Sequence, residues 1–120
     1  MGVQGHFRFE DLEIWRDAVR AGHALFDMAE ALDNKKLYRF AEQLRGAALS
    51  ISNNIAEGSG SSSKREFSNF LNIARRSVFE CANMVLVFQS RKHFATDDTE
   101  SVLKELDVLS RRIWQFKGSL

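Results

Sequence analysis

Not one proline interrupts the 120 residues. Proline removes a backbone donor and clashes with the preceding helical turn, so its absence leaves helix open along the whole chain. Runs of β-branched residues are few, and Ala, Leu, Glu, Arg and Lys are frequent; both favour helix over strand. Apolar spacing then selects the elements. Leu12, Trp15, Val19, Gly22, Phe26, Ala29 and Leu32 recur every three or four residues and so share one face of a helix over about 10–32, closed by Asp33-Asn34. Leu37, Phe40, Leu44, Ala48, Ile51 and Ile55 predict a second helix over 37–57, with Gly58 placed to take the left-handed terminal conformation. Phe67, Phe70, Ala74, Val78, Cys81, Val85 and Phe88 predict a third over 63–92, about 40 Å long. Val102, Leu103, Leu106, Leu109, Ile113 and Phe116 predict a fourth over 97–116.

The punctuation agrees with this division. Gly58-Ser59-Gly60-Ser61-Ser62-Ser63 is the low-complexity stretch of the chain and reads as a loop or hinge. Ser63 and Glu66 fit a capping box at the start of the third helix. Thr96 or Asp97 can cap the fourth, with Asp97, Asp98 and Glu100 favourably placed against its dipole. Four amphipathic helices joined by short connections bury their stripes against one another. The expected architecture is one all-α domain over 1–120, an antiparallel up-down-up-down four-helix bundle.

Composition excludes several function classes. The longest uninterrupted apolar run, Met84 to Phe88, is far short of the roughly 20 residues a membrane span needs. Met1-Gly2-Val3-Gln4-Gly5-His6 has neither the basic start nor the apolar centre of a secretion signal, and His6 stands where a myristoylation signal needs Ser or Thr. A single cysteine forms no internal disulfide, so the expectation is a cytoplasmic protein without membrane contact. A di-metal bundle would carry Glu-x-x-His, yet the residues three before His23 and His93 are Arg20 and Ser90. Cys81 falls on the core stripe, where a thiol behaves as a small hydrophobe rather than a nucleophile. Gly58-Ser59-Gly60 is followed by no G-K-[ST], and no strand is expected before it, so it is not a nucleotide-binding loop. No catalytic residue, metal site or cofactor is expected, and the chain reads as a non-enzyme.

Charge is balanced overall at +1 but unevenly placed. Residues 61–120 carry ten basic and seven acidic side chains, against seven and nine in residues 1–60. Lys64, Arg65, Arg75 and Arg76 lie along the third helix, and Arg111 and Arg112 near the end of the fourth. These six are the candidate phosphate contacts for RNA or DNA, although such charges also serve simply to solvate a helix. With Cys81 at the centre of the core face, a turn of about 100° per residue puts Phe79 and Leu86 nearly opposite it, flanked by Ala82. Two large apolar residues pointing outward are candidate contacts for a second subunit or a protein partner.

Gln43-Leu44-Arg45-Gly46-Ala47-Ala48-Leu49-Ser50-Ile51-Ser52-Asn53-Asn54-Ile55-Ala56-Glu57-Gly58 closely resembles the signature of the 23S ribosomal RNA intervening-sequence proteins, small bacterial four-helix bundles. Phe9-Glu10-Asp11-Leu12-Glu13-Ile14-Trp15, Glu66-Phe67, Phe70-Leu71, Ile73-Ala74 and Ser77-Val78-Phe79-Glu80 are similar to its other motifs at matching spacing. After about Thr96 only the helical pattern matches. Two departures stand out: Ser52 replaces a usual proline, which leaves the second helix uninterrupted, and Arg76 replaces a small residue. The resemblance implies a homopentamer shaped as a tapered barrel. It also implies kinship with the accessory variability determinant proteins of diversity-generating retroelements, pentamers that bind nucleic acid and a reverse transcriptase through basic surface. Within the motifs, Gln43, Arg45, Asn54, Glu57, Ser77 and Glu80 are expected to be structural. Gln43, Arg45, Ser77 and Glu80 could form a polar layer, Asn54 and Glu57 could satisfy the end of the second helix, and Gly46 and Ala47 would admit a close neighbour. The leading expectation is an oligomeric scaffold with nucleic-acid affinity. The alternative is a protein-interaction module serving a nucleic-acid enzyme.

Overall fold

The computed structural model describes residues 6–120, so the reading of Met1 to Gly5 lies outside the described residues. A short 3-10 turn, Arg8–Asp11, precedes four helices: α1 Glu13–Asn34, α2 Tyr38–Ser59, α3 Lys64–Ser90 and α4 Thr96–Gly118. No strand occurs among the described residues. Each helix packs on its neighbour in sequence, and α1 closes the ring against α4. With connections of only three to five residues this is the antiparallel four-helix bundle expected, 44 × 32 × 22 Å in extent. The α2–α3 interface is the most extensive and the α1–α4 seam the sparsest.

The stripes fill one continuous core, with two adjustments. In α1 the fully buried positions are Ile14, Ala18, Ala21, Leu25 and Met28 together with Gly22, Ala29 and Leu32. Trp15, Val19 and Phe26 are only half-buried, because the small faces of Ala18 and Ala21 turn inward and the bulky side chains flank the α1–α2 groove. Leu12 lies before the helix. In α2, Leu44, Ala48, Ile51 and Ile55 are buried as expected, whereas Phe40 is 40% exposed and lies 5.2 Å from the ring of Phe88 in a stacked pair. In α3, Leu71 is buried where the predicted stripe had Phe70, which is half-buried. Leu103 and Phe116 pack at the edge of the core.

The helix ends differ more instructively. Gly58 does not terminate α2; it is a buried helical residue, and α2 continues through Ser59, leaving only residues 60–63 as loop. The left-handed positions are instead two lysines, Lys36 and Lys92, each with φ 64°. At Lys36, the Leu37 amide donates to the Leu32 carbonyl at 2.9 Å and the Lys36 amide to Asp33 at 2.8 Å. At Lys92, the His93 amide donates to Phe88 at 3.0 Å and the Lys92 amide to Gln89 at 2.8 Å. Both ends are Schellman motifs, which satisfy terminal carbonyls that would otherwise lack donors. A left-handed non-glycine residue costs about 1 kcal/mol, which these bonds must offset. Glycine spacing therefore misplaced the stop.

The N-termini are also plainer than expected. Ser63 Oγ accepts the Glu66 amide at 3.1 Å, but the reciprocal Glu66 contact of a full capping box is not formed. Ala95, not Thr96 or Asp97, is the N-cap of α4; its carbonyl accepts the Thr99 hydroxyl at 3.0 Å, while Asp97 and Asp98 occupy the first turn.

Candidate nucleic-acid interface

The six candidate phosphate contacts separate into two groups. Lys64, Arg65 and Arg76 are exposed on α3 and make no ion pair among the described residues. The other three are engaged. Arg75 Cζ lies 5.0 Å from both the Phe79 and the Trp114 ring centroids, and Arg75 Nε donates to the Ser110 carbonyl at 3.2 Å. This half-buried guanidinium bridges α3 to α4 with its flat faces on aromatic rings, an arrangement arginine favours. Arg111 pairs with Asp107 one turn away at 3.2 Å. Arg112 Nη1 donates to Asp17 at 2.6 Å, and Asp17 also accepts Arg20 at 2.9 Å. The hydrogen bond and charge of Asp17 hold the Arg112 guanidinium above its ordinary, already high pKa. Arg112 thus ties α4 to α1 where the bundle is least tightly packed.

Of the four residues expected to form a polar layer, only Ser77 enters one. Gln43, Glu57 and Glu80 are exposed, and Arg45 pairs with Asp33 at the end of α1. The polar contact between α2 and α3 is made by Ser50, Asn54 and Ser77. Ser50 and Ser77 hydroxyls lie 2.9 Å apart, Asn54 Nδ2 donates to the Ser50 carbonyl at 2.7 Å and approaches Ser50 Oγ at 3.0 Å, and Ser77 Oγ donates to Ile73 at 3.2 Å. Asn54 therefore serves the body of α2, not its end. Gly46 admits no close neighbour: a Cβ there would meet nothing within 4 Å. Ala47 is buried.

Phe79 and Leu86 do face outward, 54% and 49% exposed. Trp114, 58% exposed, extends this surface onto α4, with Lys117 Nζ 5.5 Å from its ring. Sequence reasoning passed over Trp114, although its place one step round from the buried Ile113 was signal enough. A second apolar groove of about 350 Å³ lies between α1 and α2, bordered by Trp15, Val19, Phe26 and Leu49.

Cys81 is fully buried, and burial, with a smaller push from the Glu80 charge, raises its thiol to about 12. Its thiol is expected to resist a disulfide reagent such as dithionitrobenzoate at pH 8 until denaturant opens the bundle; native labelling as fast as unfolded labelling would contradict the packing. Among the described residues no three His, Cys, Asp or Glu side chains are grouped to hold a metal. His6 pairs with Asp11 at 2.8 Å, which raises the imidazole pKa by hydrogen bond and charge. No helix is long and apolar enough to cross a membrane among these residues.

Fold and surface together define a small all-helical bundle with an apolar core and with exposed cations and aromatic rings along α3 and α4. A family model described as 23S rRNA-intervening sequence protein matches residues 10–115, and the chain belongs to that family. The match takes in all but the ends of the bundle, including most of α4, where only helical pattern suggested likeness. A search of the curated proteins finds no match to the chain.

Proposed function

We propose that the protein is a non-enzymatic, cytoplasmic homo-oligomeric scaffold, a pentamer by family resemblance, that binds the backbone of RNA or DNA. The observation that carries this reading is the division among the cations: Lys64, Arg65 and Arg76 stand unpaired on the outer side of α3 while Arg111 and Arg112 are neutralised by carboxylates. Free cations gain most from releasing counterions held by a phosphate chain. Repetition around an oligomer multiplies a contact that one chain makes weakly. The likeness to the accessory variability determinant proteins belongs to the same reading.

Binding to labelled RNA is expected to fall steeply with salt, with a logarithmic slope of about −0.7 per phosphate contacted on a single strand. Reversing Arg65 and Arg76 to Glu should lower affinity about tenfold or more and flatten that slope, with light scattering showing unchanged mass. Salt-independent binding would reject the proposal. Reversal of Arg112 is a poor test, since it breaks the Asp17 pair and loosens the α1–α4 seam.

A second reading, a docking module for a polymerase or another protein, draws on the half-exposed Phe79 and Leu86 and the loop at residues 60–63. A defined complex with such a partner that survives nuclease treatment and is lost on Leu86→Asp would favour it.

A further inference from the structure

The outer line of α3 carries more than its cations. Arg65, Asn69, Asn72, Arg76, Phe79 and Asn83 follow one another at alternating steps of four and three residues, and all six are exposed. Such spacing places them in a single row down the helix face opposite Cys81, about 27 Å long at about 1.5 Å per residue. No acidic residue falls within the row. Glu66 and Glu80 sit one step round toward α2, where Ser77 meets Ser50, so an anion is steered to the α4 side. There Arg75 lies against Phe79 and leaves the ring half exposed.

We infer that this row is a binding track for single-stranded nucleic acid, in which Arg65 and Arg76 hold phosphates, Phe79 stacks a base, and the three asparagine carboxamides bond base edges. The inference rests on the nucleic-acid reading above and adds strand state and base contact to it. Each carboxamide offers both a donor and an acceptor, which matches the edges of unpaired bases. A base on the open face of Phe79 needs no particular sequence.

Two other occupants fit less well. A second copy packed along this row would bury two arginines and three asparagines for Phe79 and, one step beyond Asn83, Leu86, and unsatisfied polar groups at such a seam are costly. A duplex fits less well because α3 is too crowded to enter its major groove. The B-DNA major groove, about 12 Å across, is filled by one helix of about 10–12 Å, but α3 is flanked on both sides by α2 and α4, whose axes in such packing lie about 8–10 Å away. The groove walls would strike those neighbours.

Fluorescence anisotropy of the full chain with a short labelled single-stranded RNA, the same DNA sequence and the matching duplex tests the track. The single strands are expected to bind at least about tenfold tighter than the duplex. Phe79→Ala should weaken single-strand binding about 5- to 100-fold and leave duplex binding unchanged. The Asn69→Ala, Asn72→Ala double variant, altered only at exposed positions, should weaken it about fivefold or more with an unchanged circular dichroism spectrum. Equal affinity for strand and duplex would overturn the track while leaving backbone binding in place. Absence of binding to all three would overturn both. Unchanged RNA affinity in Phe79→Ala, with a drop in assembly mass by light scattering, would assign Phe79 to a contact between copies and overturn the track as well.

Discussion

Truncating Leu71 to Ala is expected to destabilise the protein by about 2–5 kcal/mol, a large share of the roughly 5–15 kcal/mol that holds a domain of this size together. Leu71 is fully buried in the N-terminal third of α3, the helix that packs on both α2 and α4. Its loss combines the transfer free energy of the missing carbons with a cavity that the flanking α2 and α4 cannot fully relax to fill. Leu86, on the same helix with the same side chain but 49% exposed, provides the internal control. Leu86→Ala should shift stability by no more than about 0.5 kcal/mol. Urea titration followed by circular dichroism separates the two: the midpoint for Leu71→Ala should fall sharply with little change in slope. Equal shifts in the two variants would mean that α3 is turned differently about its axis.

The same contrast explains what was legible beforehand. A buried stripe needs many residues in phase, so an error at one position is averaged out. The stripe of α2 through Leu44, Ala48, Ile51 and Ile55 was readable for that reason, as was the outward placement of Phe79 and Leu86. In α1 the averaging was poor. Large apolar residues occupy both the inward positions and the flank, and hydrophobicity alone does not say that Ala18 and Ala21 go inside while Trp15 and Phe26 stay at the groove. Size decides that, through the distance to the neighbouring helix, and the distance is a property of the assembled bundle.

Single-residue signals fared worse, since each depends on tertiary partners. Basic residues look alike in sequence, yet Arg112 meets Asp17 across 95 positions and Arg75 lies between Phe79 and Trp114. Gln43, Arg45, Ser77 and Glu80 were grouped by motif, but of these only Ser77 joins Ser50 and Asn54 in the α2–α3 polar contact. What remained free after those pairings, Lys64, Arg65 and Arg76, is the part of the candidate interface that the charge count could not isolate. The asparagine row was equally visible as spacing, but asparagine carries no net charge and drops out of any search for basic patches.

Gly58→Ala is expected to destabilise by about 1–3 kcal/mol, although alanine is the better helix former by as much as about 1 kcal/mol. A Cβ at position 58 would lie 2.8 Å from Phe67 Cδ1 and 2.8 Å from Phe70 Cβ. Neither can readily withdraw. Phe67 is held by Phe116 at 5.6 Å between centroids and by Arg8 at 5.1 Å over its ring, and a Cβ moves only with its backbone. Relief therefore requires α2 and α3 to separate at the broadest interface of the bundle. Gly46 lies in the same helix, helical and unobstructed, so Gly46→Ala should stabilise by about 0.5–1 kcal/mol through propensity alone. Thermal and urea unfolding of the two variants should shift in opposite directions. Adding Phe67→Leu to Gly58→Ala removes the ring but not the Phe70 Cβ, so it should recover only part of the loss. If both glycine variants were stabilised, the close approach of α2 to α3 at Gly58 would be wrong, and the loop at 60–63 would no longer be held by the packing beneath it.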